Sequence, residues 1–220
     1  MPRLFEQADD LLKALRPLAG PIDSAPPSFE RLALALIDRA DDRWMTSLTE
    51  EGLGEVYGLA SADLLVIAEA SGGKLKSTEA RLLQRLAQWL LKRHQGHVDD
   101  LSDCSTETLR EELRQIPGVG EPTADRVLLV GLGRPTVPVE RGIYRIALRH
   151  GWLDTTADYD ESRSVLTSTA SDDVEALRLL HEGLREVARK FCRVARPRCE
   201  NCPLAPLLGP EGPVRLDEAE

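Results

Sequence analysis

Apolar residues recur every three or four positions along most of the chain and no segment alternates with period two, so the pattern predicts an all-α fold. Leu4, Ala8, Leu11, Leu12 and Leu15 form one stripe over residues 1–20, closed by Pro17 and Gly20. After a linker from Pro21 to Pro27, Ser28 is placed to cap a helix opening at Phe29, and Leu32-Ala33-Leu34-Ala35-Leu36-Ile37 is apolar enough to be buried. Shorter patterns over 44–50 and 61–70 predict further helices, the second with Leu64, Leu65 and Ile67 inward. Gly72-Gly73 interrupts the chain. Leu82, Leu83, Leu86, Trp89 and Leu90 then mark 78–94 as a strongly amphipathic helix. More helices are expected over 106–115, 123–132, 140–150, 162–169 and 173–191, with a polar, frayed tail after Gly209.

Between two of these helices lies Ile116-Pro117-Gly118-Val119-Gly120-Glu121-Pro122-Thr123-Ala124. Two glycines one residue apart, with Pro before them and Pro-Thr-Ala after, make a tight hairpin. Gly118 and Gly120 can take positive φ and leave the backbone bare for a close approach. The amides opening the second helix form an anion site that a DNA phosphate suits. A dinucleotide fingerprint is excluded, because no strand precedes the glycines and the third one is missing. An ordinary helix connection remains the alternative.

The formal charge of -9 changes this picture, because DNA affinity rests heavily on Lys and Arg neutralising phosphates. An acidic chain that binds DNA must gather its positive charge on one face. The sequence shows part of that segregation: acids cluster at 99–112, 158–161 and 172–175, while Arg141, Arg145, Arg149 and residues 185–198 supply bases. No apolar run approaches the roughly 18 residues of a membrane span, and Met1 to Glu6 lacks the core of a secretory signal, so a cytoplasmic protein is expected.

Cys192, Cys199 and Cys202 are spaced Cys-x6-Cys-x2-Cys, with Cys104 standing apart in an acidic loop. Thiols on short spacers in a cytoplasmic chain read as metal or iron–sulfur ligands ahead of inert thiols. Cys104 reads as a small apolar filler or an exposed thiol.

The hairpin, the run Pro135-Thr136-Val137-Pro138-Val139-Glu140-Arg141-Gly142-Ile143-Tyr144-Arg145, and the cysteine spacing occur in one order. In this the chain resembles the helix-hairpin-helix (HhH-GPD) DNA glycosylase superfamily, specifically its endonuclease III-like branch, from about Phe29 to Cys202. The resemblance implies a two-lobed helical fold: residues 28–135 as a six-helix lobe bearing the hairpin, and 1–27 packing with 136–209 as a second lobe carrying the Cys-rich loop, with 210–220 as the tail. It implies a monomer acting on double-stranded DNA, which flips out a damaged base because no group reaches the glycosidic bond inside a duplex. Gly118, Val119, Gly120 and Thr123 would hold one phosphate, joined by Arg141, Arg145, Arg193, Arg196 and Arg198. A monovalent cation at the hairpin and an iron–sulfur (4Fe-4S) cluster on Cys192, Cys199 and Cys202 are the cofactors it implies.

The chain also departs from the family pattern. Where bifunctional members carry the Schiff-base Lys, this chain has Pro122, which suits a first helical turn and removes the nucleophile. The family's catalytic Asp is here Glu140. One extra methylene displaces the carboxylate by about 1 Å, enough to cost on the order of a hundredfold where alignment is critical. A helix N-cap or first-turn acid complementing the dipole is an equal reading of Glu140. The His expected two residues later is Gly142. The wedge region reads Asp38-Arg39-Ala40-Asp41, and Lys74-Leu75-Lys76 follows Gly72-Gly73 where an aromatic is expected. The fourth cluster Cys falls at Leu208, which leaves a cluster with one non-cysteine ligand, a three-iron cluster, a loosely held zinc or an empty site as the alternatives, an iron–sulfur cluster being the expectation. The expectation is a glycosylase at most monofunctional, without lyase activity; the alternatives are an inactive DNA-binding or damage-recognising relative and a structural remnant with weak DNA affinity.

Overall fold

The computed structural model describes residues 4–22, 24–39 and 41–214, and every regular element among them is helical. The chain divides into two compact units, residues 25–134 and residues 1–24 with 135–220.

The unit of residues 25–134 holds α2 (Phe29–Ile37), α3 (Arg43–Glu50), α4 (Val56–Ser61), α5 (Leu64–Ala70), α6 (Ser77–His94), α7 (Thr106–Arg114) and α8 (Glu121–Arg126). These are seven α-helical segments among the described residues, where the sequence pattern led to six; α4 is the added one. The Ser28 hydroxyl does cap α2, accepting from the Arg31 amide at 3.2 Å. α6 turns Ala80, Leu83, Leu86, Ala87 and Leu90 into a core with Leu32, Trp44, Leu48, Leu59, Ile67 and Leu109. Each such Leu contributes about 1.5–3 kcal/mol by leaving water. Leu65, expected inward, is 72% exposed. α5 is only seven residues long and its inward stripe is carried by Ile67.

In the other unit, a 3-10 turn (Leu4–Gln7) leads into α1 (Ala8–Leu15), followed after the first unit by α9 (Arg141–Arg149), α10 (Tyr159–Thr167) and α11 (Val174–Lys190). The single helix expected over 1–20 is thus shorter and begins as 3-10; residues 1–3 lie outside the described residues. α11 is capped by Asp173, whose carboxylate accepts from the Glu175 and Ala176 amides, and buries Leu177, Leu180, Leu184 and Val187. α1 reaches α11 at Gly183, where a Cβ would stand 2.6 Å from Leu15 Cβ. The tail after Gly209 is tied down at least to Val214, whose amide donates to the Arg149 carbonyl at 2.8 Å.

Candidate DNA interface and cysteine site

The hairpin is built between α7 and α8. Ser105 caps α7 through the Thr108 amide, and the chain reverses over residues 115–120. Gly118 takes φ +100°, a conformation L side chains avoid, and a Cβ there would meet Leu82 Cδ1 at 3.3 Å. Gly120 does not need its freedom: it sits extended, φ −89° and ψ 173°, as the N-cap of α8. The Val119 amide donates to the Ile116 carbonyl at 2.9 Å, so it closes the turn rather than pointing at a ligand, and the Val119 side chain is buried. Arg85 of α6 clips the loop by donating to the Pro117 carbonyl at 2.8 Å.

Pro122 is the second residue of α8, where a missing N–H costs nothing. Glu121 beside it pairs with Arg114 at 2.9 Å on the surface. α8 passes at Val127 into a π-helical turn, Val127–Gly131, closed by the Leu132 amide on the Val127 carbonyl at 3.0 Å. Such widened turns appear frequently at functional sites. Beneath the hairpin, buried Arg110 donates to fully buried Asp125 at 2.8 Å.

Arg126 reaches back to the end of α2, donating to the Ala35 carbonyl at 2.7 Å and pairing with Asp38 at 3.4 Å. Asp38 closes α2 in the left-handed region, φ 50°. The wedge region is therefore occupied by a helix terminus and its cation, followed by the Asp41–Arg43 pair at 2.8 Å; Ala40 lies outside the described residues.

Glu140 is the N-cap residue of α9, but its side chain makes no capping hydrogen bond. It turns toward α11 instead, with Oε2 3.3 Å from Arg185 Nε and Oε1 3.7 Å from Nε2 of fully buried His181. His181 Nδ1 stands 3.4 Å from Glu182. Burial lowers the His181 pKa, but the carboxylates of Glu140 and Glu182 beside the ring outweigh it and leave the value raised. Sequence reasoning missed His181 and noted Arg185 only for its charge; the spacing 181, 182, 185 along one helix was the available signal. Gly142 is required by packing, since a Cβ there would lie 2.7 Å from Ala188 Cβ. Beside Glu140, Val139, Arg141, Tyr144, Asp158, Tyr159 and Ser162 line a shallow pocket in which Arg141 is exposed.

Arg145 and Arg149 hold the cysteine loop. Arg145 Nε donates to the Cys192 carbonyl at 2.9 Å; Arg149 donates to Cys192 Sγ at 3.3 Å and to the carbonyls of Arg193 and Val194 at 2.7 and 3.0 Å. Arg145, expected at a phosphate, thus has a structural task. Arg193, Arg196 and Arg198 are exposed on the loop. Cys192, Cys199 and Cys202 line one pocket together with His150 and Leu208. Burial pushes the Cys202 thiol up, with the charges of Cys192 and Cys199 adding to the effect. Among the described residues, no three His, Cys, Asp or Glu side chains converge on the position of one metal ion. Cys104 stands beside the Asp100 carbonyl at 3.9 Å in the unit of residues 25–134.

No family model matches the chain. A protein of Methanocaldococcus jannaschii, provisionally named a DNA repair glycosylase, is 30% identical over 128 residues, 57% of each chain. The endonuclease III of Thermotoga maritima is 29% identical over 164 residues, 71% of each chain. The match therefore spans little more than half the length of the first relative. Among solved structures, a trapped endonuclease III–DNA covalent intermediate superposes with a TM-score of 0.68 at 22% identity, over 94% of this chain and 96% of that one, which shows the fold. No helix of the described residues is long and apolar enough to cross a membrane.

Proposed function

Because the chain belongs to the helix-hairpin-helix DNA glycosylase superfamily and is endonuclease III-like within it, we propose that it grips duplex DNA through the α7–α8 hairpin and releases a flipped, damaged base without cutting the strand. Backbone amides at the start of α8, with Arg141 and the exposed Arg193, Arg196 and Arg198, take the phosphates. Water adds to the anomeric carbon as the glycosidic bond breaks, and the base leaves with a proton. Glu140 is the carboxylate that faces the charge developing on the sugar or accepts the water proton. Pro122 offers no amine, so the Schiff base that leads to strand cleavage cannot form there.

The observation that carries this reading is the orientation of Glu140: at an N-cap position, it leaves the helix amides alone and joins His181 and Arg185. The same contacts favour a second reading, a DNA-binding relative without chemistry, because the carboxylate charge is already met within its own unit. Incubation with lesion-bearing duplexes in the presence of borohydride tests the proposal. Free base without a trapped covalent complex is the expected result, and a trapped complex would overturn it. Duplex binding with no base released from any lesion would establish the second reading.

An iron–sulfur cluster at Cys192, Cys199 and Cys202 belongs to the same proposal. What supports it is that the three thiols, set apart along the chain, line one pocket together. The cluster would supply structure: it fixes the loop that displays Arg193, Arg196 and Arg198.

A further inference from the structure

Leu208 stands where the resemblance places a fourth thiolate, and a hydrocarbon side chain cannot ligate iron. Leu208 nevertheless lines the same pocket as the three cysteines, and so does His150, the C-cap residue of α9. His150 is 8% exposed, and its Nδ1 is buried with no hydrogen-bond partner. A buried polar nitrogen left unpaired costs about 1–3 kcal/mol, so an orphan of this kind calls for an explanation.

The rest of the imidazole is well held. Its ring stacks on Trp152, with centroids 4.5 Å apart and planes at 27°. Trp152 is anchored in turn by its Nε1, which donates to Gln7 Oε1 at 3.1 Å, and Gln7 Nε2 donates to the Leu207 carbonyl at 3.3 Å. A buried imidazole nitrogen without a protein partner, on a ring fixed by stacking and lining the same pocket as three thiols, has the character of a metal-ligating histidine. Imidazole is an established substitute for thiolate on iron–sulfur clusters.

We infer that His150 Nδ1 is the fourth ligand of the cluster held by Cys192, Cys199 and Cys202. The inference rests on the cluster reading above. Cys104 is not needed for the set, and the loop closes with ligands from residues 150–202 alone. The role of Gln7 follows: it positions the ligand through Trp152, on which the imidazole stacks.

The test uses the full chain purified without oxygen, grown with either natural-abundance or 15N-labelled histidine. Iron and acid-labile sulfide are measured first, and the reduced protein is then examined for nitrogen hyperfine coupling to the cluster. The expected result is iron and sulfide in the wild type, with a coupling that changes on 15N-histidine labelling. That coupling should be absent from His150→Cys while the iron stays, and His150→Ala should show the EPR signal of a three-iron cluster. A wild-type cluster without histidine coupling would overturn the ligand assignment and leave the cluster standing, and so would a coupling that survives in His150→Cys. A wild-type protein without iron and sulfide, or holding zinc, would overturn the cluster reading and the assignment with it. The labelling result on wild type decides even if neither variant folds.

Discussion

Oε2 of Glu140 lies 3.3 Å from Nε of Arg185, which ties the start of α9 to α11 at the carboxylate proposed to act in base release. The pair is part-exposed, so its own Coulomb energy is modest. Its importance is orientational, because it sets which way the carboxylate points, and buried His181 supports it from below.

His181 makes stability depend on pH in a defined direction. Its pKa is raised in the folded state by Glu140 and Glu182 against the opposing effect of burial. The stabilisation is therefore fully present below the unfolded value of about 6.5 and is lost as pH rises through the higher folded value. Urea denaturation of wild type and His181→Asn across this window should show the gap between them largest near pH 6 and shrinking in alkali. A gap that widens as pH rises would contradict the assignment.

The two hairpin glycines should behave differently. Gly118→Ala forces a side chain to φ +100° and against Leu82, and should cost about 1–2 kcal/mol. Gly120→Ala meets nothing nearer than Pro122 at 4.0 Å and should lose only the N-cap preference of Gly over Ala, about 0.5 kcal/mol. Equal losses for the two, measured by chemical denaturation, would show that the loop conformation is not the one described.

Much of the fold is legible in the sequence because period and caps agree. Ser28 and the Leu32 to Ile37 run announce α2, and Leu83, Leu86 and Leu90 announce α6. α4 is illegible because six residues with Gly58 among them are too short to establish a period. Leu65 is misread for a related reason: in the seven residues of α5, several apolar positions compete for one inward stripe. At the site, the glycine spacing announces the turn, while the conformation that needs glycine falls on Gly118 alone. His150 gives no local signal. Its approach to the cysteines is made by tertiary packing through Trp152 and Gln7, which no spacing rule encodes.

Close packing of α9 on α11 gives a paired test of the absent histidine. Gly142→Ala places a Cβ 2.7 Å from that of Ala188 and should destabilise by about 1–3 kcal/mol. Ala188→Gly in the same molecule removes the clash and should recover part of the loss, a coupling that a double-mutant cycle reads directly. Additive effects would place the cost of Gly142→Ala elsewhere.

Buried Arg110 depends on Asp125 for its charge partner inside the unit, with Glu107 as a second, exposed partner. Asp125→Ala leaves the guanidinium buried without its inner carboxylate and should cost about 3–5 kcal/mol by thermal or chemical denaturation. A loss below about 1 kcal/mol would mean that the guanidinium is satisfied without Asp125.

Base release by Glu140 without strand cleavage, as proposed above, is open to one direct measurement. A panel of lesion-bearing duplexes, treated with wild type or Glu140→Gln and then resolved with and without alkali, measures both halves at once. Strand breaks should appear only after alkali with wild type and fall by at least about a hundredfold with Glu140→Gln. Breaks without alkali, or alkali-labile sites formed equally by both proteins, would contradict the proposal.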